Sequence, residues 1–175
     1  MNFIVEADWI TKAGLRAVVI VGLHPEGTHR ARCGYVGVPK ESSFYGKDYN
    51  EQLDCISQDS TNTSTLGDKS PILAFTAACG SDEEFESIRR SLDIVINCHG
   101  GLTYAGGNGK YPVESDLHWF GFDCSHYDDA HIELSEFDKQ YGFANEGTVR
   151  TLEYCQEQCE SIADQLLQLE LGIKS

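Results

Sequence analysis

The spacing of hydrophobic positions changes along the chain, and each change marks an element. From Gly14 to Leu23 the run GLRAVVIVGL is continuous and β-branched, the pattern of a short strand buried on both faces. HPEGTHR then supplies a turn cluster, and ARCGYVGVP resumes strand character up to Pro39, so the two runs predict a central hairpin. NFIVEADWI ahead of them predicts an outer strand. Further on, DIVINC and LHWFGFDC predict an antiparallel pair joined by the glycine-rich connection AGGNGKYPVESD.

The last third carries a different period. Val149, Leu152, Cys155, Cys159, Ile162, Leu166 and Leu169 recur at steps of three and four, one stripe of a long amphipathic helix. Glu153, Glu157, Glu160 and Asp164 take its remaining surface, with Thr148 as the expected N-cap and Gly172 as the expected stop. A shorter helix is expected in YGKDYNEQLDCIS, capped at Asp48 with Tyr49, Leu53 and Ile56 inward. QDSTNTSTLGDKS is polar and aperiodic, a surface loop. SPILAFTAAC sets Pro71 at a position suited to a first helical turn. SDEEFESIRRSL has Ser81 and acids at its start and arginines near its end, which matches a helix dipole. The whole reads as one α+β domain over residues 1–175: a mainly antiparallel sheet with the long C-terminal helix packed on one face.

Charge and cysteine usage narrow the function classes. The 175 residues carry a net charge of −15, and residues 114–175 hold 14 acidic against 3 basic side chains. Such a surface repels nucleic acid and excludes direct duplex binding, while it suits a basic protein partner or a nucleic-acid mimic. No run of 18 apolar residues occurs, so a spanning helix is excluded and no membrane is expected. MNFIVEADW lacks a basic leader, which predicts cytoplasmic residence. Seven cysteines without a C-x-x-C pair read as reduced thiols buried like small apolar groups; on the helical stripe, Cys155 and Cys159 read as packing residues.

Candidate chemistry gathers in two stretches, HGGLTYAGG and WFGFDCSH. If residues 119–126 are extended, Phe120, Phe122, Cys124 and His126 face one way, and Trp119, Gly121, Asp123 and Ser125 the other. A bend near Asp123 would bring both sets to one sheet edge, beside His99 and the bare amides of Gly100 and Gly101. Three chemistries fit. His99, Asp123, Cys124 and His126 have the ligand types of a divalent metal site that activates water. Alternatively Asp123 orients His99 or His126 as a general base, with Cys124 as a potential nucleophile. In the third, Gly100, Gly101, Thr103, Tyr104 and the Trp119 indole grip a small anionic ligand such as a nucleotide.

The motifs RCGYVGVP, YGKDY, HGGLTY and WFGFDCSH, in that order and followed by EYCQEQCESIADQL, resemble a family of small uncharacterised proteins of bacteriophages, prophages and bacteria. The resemblance covers most of the chain and leaves out QDSTNTSTLGDKS and the segment after it, which look like insertions. A phage-type origin implies two expectations. One is counter-defence by binding or hydrolysing a nucleotide signal. The other is an acidic, anti-CRISPR-like protein that blocks a nucleic-acid-handling complex of the host.

Overall fold

The computed structural model describes residues 2–53, 91–107 and 109–174. Five strands form one antiparallel sheet: β1 (Phe3–Ile10), β2 (Arg16–Leu23), β3 (His29–Val38), β4 (Tyr104–Gly107) and β5 (His118–Asp123). Their spatial order is β1-β2-β3-β5-β4. Among the described residues three helices accompany them: α1 (Leu92–Val95), α2 (Glu136–Tyr141) and α3 (Leu152–Lys174). The expected central hairpin and outer strand are present. Thr11 closes the first turn on Leu15, where Gly14 supplies a φ of 84°.

Strand alternation divides the core. Ala17, Val19, Val36, Val38, Phe120 and Phe122 face α3 and meet its buried stripe of Cys155, Cys159, Ile162 and Leu166. Val18, Ile20, Tyr35 and Trp119 point to the other face, where Phe3, Tyr111, Val113 and Leu117 cover them. The run from Ala17 to Val21 is therefore buried on both sides, at 3% exposure or less. Across the β3–β5 pair, Gly34 opposes Phe122 and Tyr35 opposes Gly121. A Cβ on Gly34 would stand 2.4 Å from the Phe122 ring, and one on Gly121 would stand 2.5 Å from the Tyr35 ring. Each glycine makes room for the aromatic ring of its cross-strand partner, on opposite faces of the sheet.

A bulge between Val5 and Ala7 re-aims β1 at Glu6. Glu6 accepts from Arg32 Nε at 2.6 Å and Nη2 at 3.0 Å, and Arg32 Nη1 donates to the Arg150 carbonyl at 2.7 Å.

Four expectations need correction. DIVINC forms no strand. Its start is the single turn α1, closed by the Ile96 amide on the Leu92 carbonyl, because Leu92 and Ile96, four apart, both bury in the core under α3. The strand that pairs with β5 across the glycine-rich connection is β4, farther along the chain. Tyr45 to Leu53 are turns, not a helix capped at Asp48, although Leu53 is buried and Tyr49 packs on the core as expected. Thr148 is not the cap of α3. Its amide bonds to Asp128, and Thr151 caps the helix through the Tyr154 amide at 3.1 Å, which leaves Val149 outside the helix and exposed. Nor does Gly172 end α3, which continues to Lys174. The readings of QDSTNTSTLGDKS, of SPILAFTAAC, of Ser81 in SDEEFESIRRSL and of Ile56 lie outside the described residues.

Candidate functional site

Three segments meet at the end of β5, on the face that α3 covers. The first is the loop after α1. Two glutamines of α3 hold its backbone: Gln165 exchanges bonds with the Asn97 amide and carbonyl at 2.8 and 2.9 Å, and Gln158 accepts from the His99 amide at 2.9 Å. Gly100 (φ 65°) and Gly101 (φ 84°) then turn the chain back through left-handed conformations that favour glycine. Gly100 has a second reason to lack a side chain, since a Cβ there would lie 1.8 Å from His126 Nε2.

The second segment is the turn after β5. Asp129 accepts from the His126 amide at 3.0 Å, and its own amide donates to the His126 carbonyl at 3.0 Å. The third leads into α3 and carries Arg150 and Tyr154.

One carboxylate ties the three together. Asp129 Oδ2 accepts from His99 Nε2 at 2.7 Å, and Oδ1 accepts from Arg150 Nε at 2.7 Å. Its side chain is 1% exposed, against 11% for His99 and 23% for Arg150. Burial pushes the Asp129 pKa up, but donation from Arg150, His99 and the His126 amide outweighs burial and holds it below the usual carboxylate range. The bond to Asp129 in turn raises the Arg150 pKa.

An ionised carboxylate only accepts, so His99 Nε2 carries the proton on that side. In the neutral imidazole Nδ1 then accepts from the Tyr154 hydroxyl, 3.0 Å away. Burial raises the Tyr154 pKa, while Arg150, with its guanidinium carbon 5.3 Å from the ring centroid, works in the opposite direction. The result is a chain of hydrogen bonds, Asp129 to His99 to Tyr154, beside a guanidinium. Such a chain can pass a proton from the tyrosine hydroxyl to Nδ1 while Asp129 stabilises the imidazolium that forms.

The residues singled out in the sequence fall into two groups. His99, Gly100 and His126 come together, with the two imidazole rings 5.5 Å apart, and the Cys124 sulfur lies 3.7 Å from that of Cys155. His126 Nε2 is buried without a hydrogen-bond partner. Asp123 faces away from both histidines. It pairs across the sheet with Cys33, accepts from Thr103 Oγ1 at 2.9 Å and accepts from the Ser125 amide at 3.1 Å. Tyr104 joins Tyr35 and Tyr111 on that same face, at centroid distances of 5.4 and 5.5 Å.

Trp119 is 1% exposed in the core and donates to Ser115, so its indole is no ligand wall. Gly101 has open space where a side chain would stand. The strand does not bend its two faces together, and among the described residues no three His, Cys, Asp or Glu side chains are placed to hold a metal ion.

Asp129, Arg150, Tyr154 and Gln158 were not singled out in the sequence. A signal existed for one of them, Asp129. His126 and Asp129 stand three apart in a polar turn, the spacing at which an aspartate reaches back to a main-chain amide. Arg150 and Tyr154 join the cluster only through tertiary packing.

A cavity of about 130 Å³ near the other end of α3, lined by Leu15, Val38, Phe44, Leu166 and neighbours, shares no residue with this cluster. No described helix is long and apolar enough to cross a membrane. Comparisons of the chain with protein-family models, curated proteins and solved structures give no match.

Proposed function

We propose that the cluster around His99 binds a small anionic ligand, such as a nucleotide, and moves a proton to or from it. The observation that carries this reading is the single buried carboxylate of Asp129, which fixes an imidazole and a guanidinium side by side. Arg150 spends Nε on Asp129 and offers its Nη groups to a phosphate or carboxylate, the planar recognition at which arginine excels. Tyr154 stands between that anion and His99. It takes a proton from the ligand, or from water, as its own passes to His99 Nδ1. Run in reverse, the relay supplies an acid. In a hydrolytic reaction the relay activates the attacking water. A phage-type accessory role in counter-defence accords with a nucleotide ligand.

Calorimetric titration with AMP, cyclic AMP and inorganic pyrophosphate tests this reading. At least one of the three is expected to bind, with affinity weakened roughly tenfold or more in Arg150→Ala and unchanged in Asp123→Ala. If none binds, or if Arg150→Ala binds as well as the wild type, the reading is overturned.

A second reading, an acidic interaction surface for a basic protein partner, has its own support. Phe137, Tyr141 and Phe143 are each more than half exposed and stack together at α2, with centroids 4.5 Å (Phe137–Tyr141) and 6.4 Å (Phe137–Phe143) apart. Glu146, three residues after Phe143, is exposed, and Glu153 and Glu157 are exposed on α3. Glu160 drops out of this surface, because its carboxylate accepts from Trp9 Nε1 and the Lys12 amide, both at 2.9 Å. Reversing Glu146, Glu153 and Glu157 to lysine is expected to abolish salt-sensitive binding to a polylysine probe. Binding that survives the reversal removes this reading.

A further inference from the structure

Beneath the cluster lies a pair of thiols that no step of the proposed proton relay uses. Cys124 directly follows β5 on the helix-covered face and Cys155 lies in the first turn of α3. Their sulfurs are 3.7 Å apart, although 31 residues separate them in the chain. A disulfide bond is about 2.0 Å long, so roughly 1.7 Å of sulfur movement, within reach of small side-chain rotations, would close it.

Cys155 also differs chemically from the other described cysteines. Burial pushes Cys33 up to about 11 and Cys98 up to about 12, and it raises Cys159 as well. Cys155 alone is drawn below its ordinary value, first by its hydrogen bond with the Cys124 thiol and then by the Arg32 guanidinium, while that same bond and burial raise Cys124. Thiolate character is what makes a cysteine nucleophilic.

We propose that Cys124 and Cys155 form a reversible redox pair that a small peroxide oxidises to a disulfide in the folded protein. The Cys155 thiolate attacks one peroxide oxygen, the O–O bond breaks, and hydroxide leaves and takes up a proton as water. The sulfenic acid left on Cys155 is attacked by the Cys124 sulfur, which loses its proton as a second water departs. Two thiols and one hydrogen peroxide thus become one disulfide and two waters. The new bond fastens the first turn of α3 to the end of β5, directly behind Tyr154 and two residues before His126. Both thiols are 2% exposed or less, which selects an oxidant small enough to enter when that turn loosens.

Peptide mapping of the wild-type chain after treatment with hydrogen peroxide, without denaturant, is the decisive experiment. The expected product has lost two hydrogen masses and yields one cross-linked peptide pair joining Cys124 to Cys155, which dithiothreitol reverses. The melting midpoint should rise by several degrees, because a long loop of the unfolded chain is closed. Cys124→Ser should leave Cys155 as a sulfenic acid that dimedone traps, with no midpoint rise on oxidation. A wild-type cross-link to any other cysteine, a link formed only in denaturant, or oxidation of Cys155 beyond the sulfenic acid without any link overturns the proposal. None of these readouts depends on the ligand of the cluster above, so the two ideas fail separately.

Discussion

On the face of the sheet that α3 covers, the polar groups at the end of β5 converge on one ionised carboxylate, Asp129, which holds a histidine, an arginine and a main-chain amide. On the opposite face, at the same strand end, stand neutral phenols. The hydroxyls of Tyr35 and Tyr111 are in close contact, Tyr104 packs edge-on to both, and burial raises the pKa of each. Asp123, the carboxylate on that face, is met by a threonine hydroxyl and an amide and, among the described residues, by no ion-paired cation. Side chains two apart along β5 share a face, whereas neighbours are separated by the thickness of the sheet. A charged relay and an uncharged aromatic cluster can therefore stand back to back. Proximity along a strand is a poor guide to which acid serves which histidine.

Exchanging the acids breaks this comparison most forcefully. Asp129→Ala leaves the His99 and His126 donors and the Arg150 guanidinium without their acceptor, and a loss of about 3 kcal/mol in urea unfolding is expected. Asp123→Ala removes only exposed contacts and should cost under about 1 kcal/mol. Equal losses would show that the two carboxylates do the same work.

A middling effect is expected at the glycine behind Phe122. In Gly34→Ala the new methyl group meets the Phe122 ring and the Cys159 sulfur, both under 3 Å away. Overpacking of about 2 kcal/mol follows. An alanine accepted there without loss would mean that the helix-covered face is loosely packed.

The smallest effect separates the faces by pH. Asp129 has a folded pKa below its ordinary 3.8, so its contribution is present above that value and is lost as pH falls through the lower folded one. Tyr35 has a folded pKa above its ordinary 10.0, so its contribution is present below that value and is lost as pH rises toward the folded one. Each group should add one limb to the stability profile, falling toward acid for Asp129 and toward alkali for Tyr35. Asp129→Asn should flatten only the acid limb and Tyr35→Phe only the alkaline one, as followed by chemical unfolding across pH. Flattening of the opposite limb in either variant would contradict the division between faces.

Much of the scaffold was legible because backbone periods are local. The double-sided burial of Ala17 to Val21, the alternation from Trp119 to Cys124 and the stripe from Cys155 to Leu166 all follow from residue spacing. DIVINC misled because its β-branched run suits a strand in isolation, while docking of Leu92 and Ile96 under α3 decides for a helical turn. The cluster was only half legible. His99, Gly100 and His126 announce themselves as a histidine, a glycine and a polar strand end. Arg150 and Tyr154 reach them only because the chain returns along α3, and no local pattern records a return.

Arg32 gives this arrangement a long lever. Its guanidinium grips the bulge of the outermost strand with one edge and, with the other, the carbonyl of the very residue whose side chain clasps Asp129. Tension placed on the amino-terminal ribbon, by a fused tag for instance, is therefore passed through this guanidinium to the arginine beside the relay.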